Sequence, residues 1–142
     1  MLKLSTASQE PFWLDLIPGV RVRVRPITVA SMLVAREAVG RVYRDEDQTD
    51  VATRAGMALV HELARRGIVE WEGVGTADGE PAPVTAETIN ALLDHWPAYD
   101  ALDALYVTPA LRRDEEKTDP RTRPMALRRR IRILRGLQRS LP

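Results

Sequence analysis

The sequence predicts an α+β fold that is mainly helical, with an N-terminal β-hairpin, a small helical bundle and a basic C-terminal helix or tail. Three observations support this prediction. Valine and arginine alternate over 20–25, apolar residues recur at helical spacing over 28–66, and a capped helix follows a Gly/Pro-rich loop. The 142-residue chain is 44% hydrophobic and 29% charged, which is the composition of a globular protein.

The hairpin is predicted from two strand-forming runs, 12–16 and 20–25, that flank the turn dipeptide Pro18-Gly19. The second run has the period of two that a half-buried antiparallel strand requires. Its valines share one face, and the other face carries Arg21, Arg23 and Arg25. Pro26 ends the pairing because it has no amide hydrogen to donate.

Two longer helices are predicted next. Thr28 is an N-cap for a helix that runs to about Arg44, and Asp50 caps a second helix that runs to about Arg66. Gly67 suits a left-handed position beyond the end of the second helix. The apolar stripe of the first helix is predicted to contain Val29, Met32, Leu33, Val39 and Tyr43.

The following segment predicts an extended stretch over 68–74, a loop, and two short helices. Thr85 caps the first short helix, and Pro97 suits the first turn of the second, which ends at Pro109. The inner face of the first short helix is predicted to be Ile89, Leu92, Leu93 and Trp96; the second is lined by Tyr99, Leu102, Leu105 and Tyr106.

Charge divides the chain into two parts. Residues 1–111 contain 10 Lys/Arg and 16 Asp/Glu, whereas residues 112–142 contain 11 Lys/Arg and 4 Asp/Glu. We therefore predict an acidic domain over 1–111, with its hairpin within 11–25 and its helices within 28–111, and a basic C-terminal extension over 112–142. Beyond Pro124, apolar residues lie at helical spacing among the arginines, so a basic amphipathic helix could form there, at least on a partner.

No catalytic residue, metal ligand or cofactor site is predicted. The chain has no cysteine, which excludes thiolate metal sites. The segment from His61 to Arg65 begins like a zinc-binding helix, but Arg65 stands where the second histidine would be. We interpret His61 as a surface histidine. No apolar run approaches the length of a membrane span, so we expect a cytoplasmic protein without a membrane partner.

Aromatic and basic side chains are the candidates for partner contact. The three tryptophans are expected to be mainly core, but an exposed indole would be an interface anchor. Trp71 is the best candidate because Glu70 and Glu72 flank it on a strand that could be an edge. We predict apolar contact through Trp71, Trp96, Tyr99 and Tyr106, and polar steering by Arg21, Arg23 and Arg25. The alternative for the arginine face is a solvated surface.

The C-terminal arginines allow a second kind of partner. Sequence-independent binding to nucleic acid could use Arg128, Arg129, Arg130, Arg132 and Arg135. The acidic body and the absence of aromatic residues in the extension count against it. A helix that docks into the groove of a partner protein, and an irregular solvated terminus, are the alternatives.

Several motifs resemble those of tail assembly chaperones of long-tailed bacteriophages and prophages. They are RGIVEWEGVG at 66–75, DGEPAPVT at 78–85 and ALLDHWP at 91–97, followed by Asp100, 105–107, 109–111 and 116–117. The resemblance covers about 50 residues well, and it is weaker in the hairpin and the first two helices. After Leu111 the chain departs from the family, and our hypothesis is that 118–142 arises from a different reading frame or a lineage-specific replacement.

The resemblance implies a helical, non-enzymatic protein that acts in the bacterial cytoplasm during virion morphogenesis. Its expected partner is the tape measure protein, whose apolar helices it would keep soluble, with tail tube protein as a further partner. Homo-oligomerisation is left open. The alternative functions are a structural virion connector or tail-completion protein, and a nucleic-acid-binding accessory protein.

Overall fold

In the computed structural model, the described residues are Met1 and 9–117. The elements in chain order are β1 (Phe12–Ile17), β2 (Val20–Val24), α1 (Val29–Arg44), α2 (Val51–Gly67), β3 (Ile68–Glu72), α3 (Ala86–Leu93), α4 (Trp96–Leu102), a π-helical segment (Asp103–Val107) and α5 (Thr108–Lys117). The predicted mainly helical α+β class is confirmed. The predicted basic helix beyond Pro124 lies outside the described residues.

The sheet is antiparallel with the strand order β1-β2-β3. The predicted hairpin is confirmed, with Gly19 in the turn at φ 83°, a left-handed conformation that glycine adopts without steric cost. The extended stretch forms β3, which adds to β2 so that Val22 lies opposite Trp71 and Arg23 opposite Glu70. β3 is thus an edge strand.

Helix α1 begins at a capping box. The Ser31 amide donates to Thr28 Oγ1 at 3.1 Å, and the Thr28 amide donates to Ser31 Oγ at 2.9 Å. The core face of the helix is formed by Ala35 and Val39. The predicted placement of Val29 and Leu33 on this face is wrong, since they are 78% and 57% exposed. At 3.6 residues per turn they lie about 120° and 160° around the helix from Ala35.

Two details of helix α2 differ from the prediction. Asp50 precedes the helix at φ 49°, but its side chain makes no capping hydrogen bond. Gly67 is the last residue of the helix and is not left-handed. A Cβ at Gly67 would lie 2.2 Å from the Tyr106 hydroxyl oxygen. The glycine is therefore required by a close contact between elements and not by a helix cap.

The second half of the domain is a run of short helices. Thr85 and Thr88 form the capping box of α3, and Pro97 lies in the first turn of α4, as predicted. Pro109 does not end the helical path, which continues through the π-helical segment and α5 to Lys117. In a regular α-helix a proline ring clashes with the carbonyl four residues earlier, and here that residue, Leu105, lies in the π-helical segment. Helix α5 also crosses the predicted domain boundary at 111/112.

The core lies between the sheet and the helices. Its largest fully buried side chains are Val22, Val24, Leu63, Leu102 and Val107. Each such side chain contributes about 1.5–3 kcal/mol by its removal from water. Within the described part of the chain, no polar or charged side chain other than the phenol of Tyr106 is buried, and none of the helices there could cross a lipid bilayer.

Candidate partner-binding surface

An apolar groove lies where the chain enters β1 and where it passes from β2 to α1. Its volume is about 850 Å³. The groove is lined by Gln9, Glu10, Pro11, Phe12, Pro26, Ile27, Thr28, Val29, Leu105 and Tyr106. We call this surface the Phe12 groove.

Three large apolar side chains of the groove are exposed. Phe12 is 43%, Val29 78% and Leu105 47% exposed. Single exposed apolar residues need no explanation, but a contiguous set around a depression is typical of a binding surface. The Phe12 groove is therefore the candidate site.

Local structure brings these residues together from three parts of the chain. Phe12 is the first residue of β1 and pairs with Val24 at the end of β2. Val29 is the first residue of α1, so it lies at the helix end nearest the sheet. Leu105 comes from the π-helical segment. The sequence predicted a regular α-helix at this position.

Tyr106 forms part of the groove wall. It is 5% exposed, and its hydroxyl donates to the Arg25 carbonyl at 2.6 Å. Burial raises the pKa of Tyr106 to about 12. The phenol thus stays neutral and its donor is already used, so the predicted contact residue is chiefly a structural part of the site.

A smaller recess of about 280 Å³ adjoins the groove and shares Gln9, Pro26, Thr28 and Tyr106 with it. This recess contains Arg25 and Arg66. Arg25, one of the predicted steering residues, is exposed. The structure therefore places one predicted arginine next to the apolar groove.

Trp71 lies away from the groove on β3. It is half-buried against the core, and its indole Nε1 donates to the Ala82 carbonyl at 2.8 Å. This hydrogen bond fixes the loop that follows β3. The indole therefore already has intramolecular partners for both its ring and its donor.

Trp96 and Tyr99 form a separate aromatic pair on α4. Their rings stack with centroids 6.1 Å apart. The predicted placement of Trp96 on the inner face is wrong, because Trp96 is 46% exposed. Burial and the nearby Asp103 carboxylate raise the pKa of Tyr99 to about 12.

His61 joins this region from α2. The predicted surface position is wrong, since His61 is half-buried and its Nδ1 lies 3.0 Å from Asn90 Oδ1. Its ring centroid is 6.3 Å from that of Tyr99. The contact with Asn90 joins α2 to α3, and it gives the histidine a packing role.

The arginines of β2 are paired within the chain. Arg21 Nε lies 3.6 Å from a carboxylate oxygen of Glu72, and Arg23 Nη1 lies 3.5 Å from one of Glu70. The Arg21 guanidinium also lies 4.2 Å from the ring centroid of Trp13. An acidic surface does face these arginines, but β3 of the same sheet supplies it.

The predicted site is thus only partly assembled. Tyr106 lines the Phe12 groove and Arg25 lines the adjoining recess, whereas Trp71, Trp96 and Tyr99 lie elsewhere. The predicted nucleic-acid contacts, Arg128, Arg129, Arg130, Arg132 and Arg135, lie outside the described residues.

Sequence reasoning missed the four apolar side chains of the groove, which are Phe12, Ile27, Val29 and Leu105. One available signal was Val29 directly after the N-cap Thr28 and close to Pro26. A residue at the first position of a helix follows an extended link, so its side chain can face the neighbouring sheet. No comparable signal marks Leu105, which lies in the π-helical segment that the sequence does not predict.

The lining of the Phe12 groove provides a surface for contact with a partner. Across the described residues, no group of three or more His, Asp or Glu side chains could hold a metal ion. Searches against protein families, curated proteins and solved structures give no match to this chain.

Proposed function

We propose that this protein is a non-enzymatic binding protein that holds an apolar helix of another polypeptide in the Phe12 groove, and that it serves as a phage tail assembly chaperone. The single observation that carries the proposal is the partial exposure of Phe12, Val29 and Leu105 around one depression. The motifs at 66–75, 78–85 and 91–97 that resemble tail assembly chaperones support the choice of partner, the tape measure protein.

The lining of the groove favours a helix over a small molecule. Pockets of 300–1,000 Å³ are typical of small-molecule sites, so volume alone does not decide. Such sites also need polar groups that fix the orientation of the ligand. Here the Tyr106 hydroxyl already donates a hydrogen bond to the Arg25 carbonyl. The Thr28 hydroxyl already accepts one from the Ser31 amide in the cap of α1. Gln9 and Glu10 also line the groove, but most of its lining side chains are apolar, namely Pro11, Phe12, Pro26, Ile27, Val29 and Leu105. Grooves that take the apolar face of an amphipathic helix have such a lining.

The expected affinity is modest, which suits a transient partner. Complete burial of an exposed large apolar side chain contributes about 1.5–3 kcal/mol. Phe12 and Leu105 are already more than half buried, so only Val29 would gain most of this amount. A chaperone that must release its client during tail assembly requires such reversible binding. Tail tube protein is a further client of the same kind, and the site of action is the bacterial cytoplasm.

Co-expression with the tape measure protein of the same phage tests the proposal. The wild-type protein should raise the soluble fraction of the tape measure protein. Val29→Asp should weaken binding at least about tenfold, because a carboxylate without a partner in an apolar contact costs more than 1.4 kcal/mol. Binding is measured by co-purification and by titration with a soluble tape measure fragment.

Met57→Asp is the matched control. Met57 is also an exposed apolar residue of a helix, at 43% exposure, but it does not line the groove. The Met57→Asp variant should bind the tape measure fragment like the wild type. Equal binding by folded Val29→Asp and by Met57→Asp would contradict the proposal. Presence of the protein in purified particles would instead favour a structural connector or tail-completion protein.

A further inference from the structure

The C-terminal extension contains an apolar stripe of its own. Leu127, Ile131, Leu134 and Leu141 recur at intervals of three, four and seven residues, which places them on one side of a helix. We propose that residues 127–141 occupy the Phe12 groove of the same chain until a client helix displaces them. This inference rests on the proposed function of the groove.

The apolar stripe of residues 127–141 suits the exposed apolar side chains of the Phe12 groove. The groove presents Phe12, Val29 and Leu105 to solvent. An amphipathic helix binds such a groove through residues spaced by three, four and seven positions. The segment therefore resembles the client that the groove is proposed to hold.

The charges of the two parts are complementary. Residues 112–142 carry 11 Lys/Arg against 4 Asp/Glu, and residues 1–111 carry 16 Asp/Glu against 10 Lys/Arg. Glu10 lines the groove and Arg25 and Arg66 line the adjoining recess, so the complementarity lies between the two parts as wholes and not between paired side chains at the groove. Attraction between the two parts draws the segment toward the domain, and salt should weaken the attraction because surface charges are screened.

The length of chain is sufficient for docking in cis. The helical path from Leu105 to Lys117 is about 18 Å long at roughly 1.5 Å per residue. Residues 118–126 can span at most about 30 Å at roughly 3.3 Å per residue. The connection can therefore return from the end of α5 to the groove.

Because the segment is covalently attached to the domain, a weak contact is sufficient for it to occupy the groove. A short linker between two binding parts gives an effective concentration on the order of 1 mM. A segment that binds with a dissociation constant about tenfold below that value would occupy the groove about nine-tenths of the time, and a client of higher affinity would still displace it. The segment would thus cover the exposed apolar side chains when no client is present.

Cysteine cross-linking of the full chain tests the inference. The chain has no cysteine of its own, so the double variant Val29→Cys/Leu134→Cys contains a single pair. Oxidised glutathione should form the disulfide within one chain, detected as a monomer of altered gel mobility. The matched control is Met57→Cys/Leu134→Cys, because Met57 lies outside the groove. The groove pair should cross-link at least about tenfold faster, the ratio that docking by roughly 1.4 kcal/mol produces.

Two outcomes would overturn the inference. Equal cross-linking rates in the two pairs would show that the segment is tethered but does not bind the groove. A disulfide-linked dimer as the main product would show that the groove takes a segment of a second copy. Adding Ile131→Glu to the groove pair should reduce its rate to that of the control, and a rate that stays high would also contradict the proposal.

The result is separable from the proposed function. The cross-linking uses no client, whereas the Val29→Asp titration uses the tape measure fragment. If the groove pair fails to cross-link but Val29→Asp still loses the client, only the inference about residues 127–141 fails. If the pair cross-links but Val29→Asp retains the client, the proposed function fails and the intramolecular contact stands.

Discussion

Gly67 and Tyr106 make the contact that joins the end of α2 to the π-helical segment. The Tyr106 hydroxyl also donates to the Arg25 carbonyl at 2.6 Å, and the Arg25 amide donates to the Gly67 carbonyl at 2.8 Å. Three distant parts of the chain thus meet at the recess that adjoins the Phe12 groove. A change at any of these residues should alter stability and groove shape together.

Gly67→Ala should lower the free energy of unfolding by about 1–3 kcal/mol, which is the usual cost of overpacking. The added Cβ would lie 2.2 Å from the Tyr106 hydroxyl oxygen, so the ring must move and its hydrogen bond to Arg25 is lost. Urea unfolding measures the effect.

Gly40→Ala in α1 is the control. Its Cβ would come no closer than 3.0 Å to a neighbour, and that neighbour is the flexible Arg44 side chain. Alanine in a helix interior is favoured over glycine by about 0.5–1 kcal/mol, so this variant should be neutral or more stable. Equal effects of the two substitutions would contradict the assigned contact.

At the scale of elements, the caps fix where the helices begin. Both α1 and α3 start with a threonine whose hydroxyl accepts an amide hydrogen bond three residues later. Because the cap at Thr28 sets the start of α1, it also sets the position of Val29 at the rim of the groove. The N-cap residue Thr28 and the groove residue Val29 are therefore neighbours in the sequence.

Thr85→Ala should destabilise the domain by about 1 kcal/mol, the typical cost of losing an N-cap. The Thr88 amide, which donates to Thr85 Oγ1 at 3.2 Å, would lose its partner. Thr85→Ser keeps the hydroxyl and should stay close to the wild type. Thermal unfolding distinguishes the two, and a loss that is equal for Ser and Ala would show that the methyl group and not the hydroxyl matters.

At the scale of the whole molecule, charge is segregated and the core is apolar. The ion pairs described on the sheet are partly exposed, and pairs of this kind contribute about 0–1 kcal/mol each. Stability therefore depends mainly on apolar burial between the sheet and the helices. Two groups that couple this core to pH are the half-buried phenol of Tyr99 and the buried phenol of Tyr106.

Stability should fall as the pH rises from about 10 to 12. Burial raises the pKa of Tyr99 and of Tyr106 to about 12, whereas tyrosine in an unfolded chain ionises near pH 10. In this window the unfolded state releases protons before the folded state does, so alkali favours unfolding. Below pH 10 the contribution of both phenols is fully present.

Urea unfolding at pH 9, 10 and 11 measures this dependence. Tyr99→Phe/Tyr106→Phe should lose less stability between pH 9 and 11 than the wild type does. The other titrating groups are common to both proteins, so the difference between the two slopes isolates the phenols. Identical slopes would show that neither phenol is protected from ionisation in the folded state.

The sequence by itself determined most of the elements, because their signals are local, but it predicted neither the π-helical segment nor the passage of the helical path through Pro109 into α5. Alternation at 20–25 specified β2, and Thr28, Thr85 and Pro97 specified helix starts through hydrogen bonds and ring geometry within one turn. The same local reasoning failed for Asp50, whose backbone lies at φ 49° without a side-chain cap.

Only the tertiary structure decided which side chains remain exposed. Val29 and Trp96 were assigned to inner faces from spacing alone, but the orientation of each helix depends on distant packing partners. The Phe12 groove needs β1, the link before α1 and the π-helical segment at once. Such a site is a property of three-dimensional packing, since no pattern within one element records what the other elements leave uncovered.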